Sequence, residues 1–153
     1  MPRLNTSANL AAFLDMLAFS EGTKGLGDDG YNKLVNPAGL FSDYREHPDV
    51  LVQVNPSLRS TAAGRYQFLS RHWRHYQAAL GLPDFGPLSQ DKWAIQLIRE
   101  RRALADIEAG RIGEAIGKCN NIWASLPGAG YQQPEHNEAS LLAKFTEFGG
   151  VLA

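Results

Sequence analysis

The chain has 153 residues, of which 44% are hydrophobic and 20% charged, with a formal net charge of −1. That is enough apolar material for one globular domain with its own core, and the composition is not that of a disordered chain. A net charge so close to zero argues against a general nucleic-acid binder, which carries a strongly basic surface.

A single cysteine, Cys119, allows no internal disulfide. With four scattered histidines it gives no zinc-ligand spacing, so no metal or other cofactor is expected. The longest apolar run is interrupted by Asp15 and is too short to cross a bilayer. It also lacks the basic flank and small-residue cleavage site of a signal peptide. The expectation is a protein made and folded in a cytosol, without membrane insertion.

In chain order, a first helix is expected from Ser7 to Ser20. Ser7 suits the N-cap, and Leu10, Phe13, Leu14 and Leu17 form one apolar stripe. Gly22 suits the position just past the helix end, and residues 23–30 read as a glycine- and aspartate-rich loop. From Tyr31 to Ser60 the stretches YNKLV, GLFSDY and VLVQVN alternate with the turn signals NPAG and EHPD. They predict a small antiparallel sheet or a pair of hairpins, with VLVQVNPSLR projecting and turning at Asn55-Pro56. AGRYQFLSRHWRHYQAAL predicts a helix through the spacing of Tyr66, Leu69, Trp73, Tyr76 and Leu80, closed by Gly81.

Ser89 reads as the cap of the next helix, with Asp91 in its first turn. Trp93, Ile95, Leu97 and Ile98 make that helix apolar on more than one side, the pattern of a central, most buried helix. Short helices follow in ALADIEAG, RIGEAIGKC and NIWASL, then the loop PGAGYQQPEH. Asn137 caps a last helix, EASLLAKFTEF, closed by Gly149-Gly150. One small sheet set against many helices is an α+β arrangement with two lobes, expected as a single folding unit over residues 1–153.

Glu21 stands out. Helix ends favour cations, yet an acid closes the first helix. One reading is a solvated glutamate. The other is a carboxyl whose pKa is raised by the apolar helix and its dipole, beside a loop open to a ligand. An acid kept protonated near neutral pH is what glycoside cleavage needs to protonate its leaving oxygen.

The segments AFLDMLAFSEGT, GLFSDYREHP, STAAGRYQFL and CNNIWASLPGAGYQQPEH together resemble the phage lambda endolysin family, in order and near its spacing, over about Ala12 to Gly150. The resemblance implies a mostly helical, lysozyme-like fold with a small β-lobe. It implies cleavage of the β-1,4 bond between N-acetylmuramic acid and N-acetylglucosamine without water, the muramic C6 hydroxyl attacking to leave a 1,6-anhydro end. The family's catalytic glutamate, in SEG, corresponds to Glu21, acting first as acid and then as base. Two groove lips would correspond to residues 50–59 and 127–137. The resemblance further implies peptidoglycan strands as substrate, action as a monomer in the periplasm or wall, and a separate holin-type partner for release from the host cytoplasm. The loop between Glu21 and Tyr31 departs from the lambda protein, being shorter.

Two other readings stay open: a water-using muramidase with Asp43 as second carboxylate, and a wall-binding or virion structural module without catalysis. Asp43 in FSDY is otherwise a turn aspartate. Gln67 matches a groove position and suits an N-acetyl group, or is an ordinary polar residue. Gly64 either admits close approach of a sugar or starts a helix. Tyr66 belongs to an apolar stripe and is a candidate binding residue only by its motif, whereas Tyr131, in the loop, suits stacking on a sugar face. Trp73, Trp93 and Trp123 read as core. Arg59, Arg65, Arg71 and Arg74 lie in a stretch without acids from Val50 to Pro83, either a positive face or a solvated one. His72 and His75 lack a third ligand, and Cys119 reads as a buried small hydrophobe.

Overall fold

The computed structural model describes residues 1–130 and 135–153. The first helix, α1, runs Ala8–Ser20, and the Ser7 side chain accepts from the Leu10 amide at 3.1 Å. Ala12 to Ala18 are all buried, so α1 is covered on every side rather than along one stripe. Its end is a Schellman motif. The Thr23 amide donates to Ala18 O at 2.9 Å and the Gly22 amide to Phe19 O at 3.0 Å, with Gly22 at φ 76°.

Residues 31–44 form no regular strands. They make single bridges, Lys33 with Leu40 and Leu34 with Ala63. The physical reason is Lys33. Its ammonium donates to Leu34 O at 2.6 Å, Ala38 O at 2.7 Å and Asn36 Oδ1 at 3.0 Å, so the turn wraps around a cation. The projecting hairpin does form, as β1 Val52–Asn55 and β2 Leu58–Ser60, with Val52 opposite Ser60. Asn55 Oδ1 accepts from the Ser57 amide and hydroxyl, both at 2.9 Å, an Asx turn that fixes the bend.

The helix expected from residue 63 begins later. Ala63 and Phe68 exchange amide-to-carbonyl bonds of 3.0 and 2.9 Å, closing a tight turn over residues 64–67. Gly64 at φ 84° and Gln67 at φ 53° are incompatible with a helix. A 3₁₀ turn, Ser70–His72, leads into α2, Trp73–Leu80, which Gly81 closes. Helix α3, Pro87–Glu100, starts before Ser89, with proline in its first turn. Among the described residues no side chain caps its first-turn amides; Asp84, just ahead of it, accepts from the Gly86 amide at 2.8 Å and Ser89 Oγ at 3.2 Å. Helices α4 Leu104–Glu108, α5 Ile112–Cys119 and α6 Glu138–Glu147 complete the described elements, and Asn137 caps α6 through the Ser140 amide at 2.7 Å. NIWASL is a series of turns, not a helix.

The core joins α1 to α3, α5 and α6 around a cluster of aromatic rings. Phe68 stacks on Trp93 with centroids 4.0 Å apart, and Trp73 meets Phe85 edge to face at 5.3 Å. Trp73, Trp93 and Trp123 are buried as expected. Six helices and a two-stranded antiparallel sheet among the described residues make an α+β fold.

Candidate active site

Glu21 is the C-cap of α1, held there by the Schellman motif. It lines a groove of about 580 Å³. The hairpin supplies Val54, Leu58 and Arg59 on one side, and later segments add Gln67, Arg71, Ile122 and Ala124. Glu21 is half-buried. Desolvation pushes its carboxyl up to about 8. Among the described residues the carboxyl has no hydrogen bond or ion pair, so nothing offsets that desolvation.

Three segments distant in sequence are pinned together behind the groove at the turn of residues 64–67. Thr23 Oγ1 donates to Arg65 O at 2.6 Å, tying the chain just after Glu21 to this turn. Trp123 Nε1 donates to Tyr66 O at 3.0 Å, tying in the 122–124 wall. The Arg65 amide donates to Gln90 Oε1 at 2.9 Å, and Gln90 Nε2 donates to Tyr31 O and Phe85 O. Gln67 leaves this turn into the groove in a left-handed conformation rare for a residue with a side chain. Its Nε2 donates to Gly64 O at 2.9 Å, which turns one end of the amide inward and fixes the side chain.

The lower wall is anchored to α1 by bonds that the sequence did not suggest. Ser20 and Ser125 hydroxyls lie 2.7 Å apart, and His136 Nε2 approaches Ser20 O at 3.2 Å while its ring meets Phe19 at 5.3 Å. A serine at the end of α1, a serine in a later turn and a distant histidine carry no spacing signal that would have linked them.

Of the residues singled out from the sequence, Glu21, Gln67, Arg59 and Arg71 share the groove. Asp43 is not brought to them. It is exposed, lines a separate cavity and is held by Arg45 through Nη2 at 2.8 Å, Nε and the amide, which draws its carboxyl below the usual range. Tyr66 is fully buried, outside the Glu21 groove, and its hydroxyl donates to Asp91 Oδ1 at 2.6 Å. Gly64 is also outside that groove lining. A Cβ there would collide with the Gln90 side chain, so the glycine permits this close packing. Tyr131 lies outside the described residues.

The positive face is smaller than the sequence suggests. Arg65 is completely buried, paired with Asp15 and with Asp29 at 3.3 Å, and Arg74 pairs with Glu46 at 2.8 Å. Asp91, expected in a first helical turn, is buried and accepts from the Tyr31 and Tyr66 hydroxyls and the Arg3 and Leu4 amides. Cys119 is buried and its thiol is pushed up to about 12. No helix among the described residues is long and apolar enough to cross a membrane.

A desolvated acid at a helix end, facing a groove under a small hairpin on a helical frame, is the plan of a lysozyme-like fold. The solved structure of bacteriophage lambda lysozyme complexed with a chitohexasaccharide superposes with a TM-score of 0.94 at 52% identity, covering 98% of this chain and 99% of that one. A second lambda lysozyme structure gives a TM-score of 0.89. The family model described as Endolysin matches residues 11–152. The chain is 56% identical to the endolysin of Escherichia phage lambda, over 92% of this chain and 91% of that protein. It is 52% identical to the endolysin of Escherichia phage P2 over the full length of both. The chain belongs to the endolysin family, the phage enzymes that lyse the bacterial cell wall.

Proposed function

We propose that the protein cuts the glycan strands of peptidoglycan as a lytic transglycosylase, with Glu21 as its sole catalytic acid and base. The observation that carries this reading is the carboxyl of Glu21, raised to about 8, in a groove with no other carboxylate among its described lining residues. The protonated carboxyl gives its proton to the glycosidic oxygen as the C1–O bond of N-acetylmuramic acid breaks. Glu21 is then ionised. It takes the proton of the muramic C6 hydroxyl as that oxygen bonds to C1, which closes the 1,6-anhydro ring and returns the carboxyl to its starting state. No water is consumed.

Gln67 supports the same reading. With Nε2 turned to Gly64 O, its carbonyl oxygen is the end available to an N-acetyl N–H. The chitohexasaccharide bound to lambda lysozyme supports a glycan strand as the occupant. The hairpin β1–β2 is proposed as one lip of the groove. The proposal includes action as a monomer, and access to the wall through a separate membrane-permeabilising partner of the holin type.

The test is mass spectrometry of the fragments released from purified peptidoglycan. Fragments one water lighter than hydrolysis products, without reducing ends, are expected. Reducing ends would replace this mechanism with hydrolysis.

A further inference from the structure

We propose that a second cavity, opening beside the Glu21 groove, receives the peptide branch of N-acetylmuramic acid and gives the enzyme a preference for peptide-bearing over bare glycan. This rests on the reading that the groove holds peptidoglycan. The cavity has a volume of about 240 Å³ and shares Gln67, Leu69, Arg71 and Ile122 with the groove. Pockets for whole drug-sized ligands run to about 300–1,000 Å³, so this one suits a branch rather than a second strand.

Its chemistry matches that branch. The peptide is joined to the lactyl group of muramic acid and carries alanine methyls and free carboxylates; N-acetylglucosamine carries nothing comparable. The deep walls are apolar: Trp93, Leu97 and Trp123. The Trp93 indole N–H is itself buried, without a partner among the described residues. Among the described residues neither lining contains an acid apart from Glu21.

Arg71 stands on the shared wall, exposed. Its Nε donates to His72 Nε2 at 3.2 Å, which leaves both terminal nitrogens for a carboxylate. The described residues give it no ion-pair partner, whereas Arg65 and Arg74 are neutralised by acids from other segments. Arg59 also lines the groove, with its Nε on Gln53 Oε1 at 3.1 Å. On bare strands these two guanidiniums meet only the lactyl carboxylate of muramic acid, held close to the sugar ring. Facing peptide stems, they meet further opposite charge.

The experiment compares wild type, Arg71→Gln and Asn121→Trp on peptide-bearing strands and on the same strands stripped by an N-acetylmuramoyl-L-alanine amidase. Asn121 is an exposed turn residue lining only the second cavity, so tryptophan there obstructs it without altering the core. Wild type is expected to show at least a fivefold higher kcat/KM on peptide-bearing strands. Each variant is expected to lose at least fivefold more on those strands than on stripped ones, chiefly in KM. Equal use of both strands by wild type, or equal losses on both by the variants, would overturn the peptide pocket. Cleavage of neither strand by wild type would instead overturn the proposed function. Independently of any variant, the tetrapeptide released by the amidase is expected to shift the Trp93 indole N–H resonance of wild type at millimolar concentration. No shift there would count against the proposal.

Discussion

Glu21 sits where the carbonyl end of α1 meets the groove, and both surroundings favour its neutral form. In the native protein it keeps its proton up to about pH 8, while in the unfolded chain it ionises near 4.5. Between those values the native state binds more protons, so its contribution to stability falls as pH rises through this window and is level above it. Glu21→Gln removes that slope. At pH 8 the variant is expected to be more stable by about 1 kcal/mol or more, melting about 2–4 °C higher in calorimetry. Its cleavage is expected to fall by about 10²–10⁴-fold or more, because the shape is kept and the proton is lost. Asp43→Asn is expected to change turnover by less than about threefold, under ~0.7 kcal/mol at the barrier, in the same assay. Which single residues were legible follows from how local their partners are. Ser7 and Asn137 bond amides three positions on, so their capping roles were readable. Gly64 and Tyr66 take their roles from Gln90 and Asp91, which no local pattern connects to them.

The element that aims the acid is the end of α1. Gly22 is left-handed there with open space around it, so a side chain would meet backbone strain and no clash. Gly22→Ala is expected to cost about 1–2 kcal/mol in urea unfolding. Gly22→Asn is expected to cost less, since asparagine tolerates this conformation better. Failure to see that ranking would mean that the Schellman motif does not set the helix end. The hairpin was legible because Asn55 makes its turn with its own side chain. The helix expected from residue 63 was not, because its apolar spacing is satisfied by core packing of a tight turn. Tyr66 and Trp73 are buried either way, so burial alone does not distinguish a helix from a turn followed by a helix. The same holds for NIWASL, where Trp123 is buried from a run of turns.

Across the whole molecule, the α+β plan followed from the order of apolar periods and turn signals, whereas the charge distribution did not. A stretch free of acids over residues 50–83 looked like a positive face, but folding brings Asp15, Asp29 and Glu46 to it from elsewhere. The buried Arg65–Asp15 pair holds α1 to the turn behind the groove. Asp15→Asn leaves Arg65 with its longer contact to Asp29, and is expected to cost about 3 kcal/mol or more in urea unfolding. A loss below about 1 kcal/mol would show that Asp29 suffices. All of these packed parts converge on one quantity, the proton affinity of the acid they enclose. The most direct measurement is therefore an NMR titration of the Glu21 carboxyl carbon in the intact protein, assigned by its absence in Glu21→Gln. A midpoint near 8 is expected, with the carboxyl protonated at neutral pH. A midpoint in the ordinary glutamate range, about 4–5, would contradict the general-acid role assigned to Glu21.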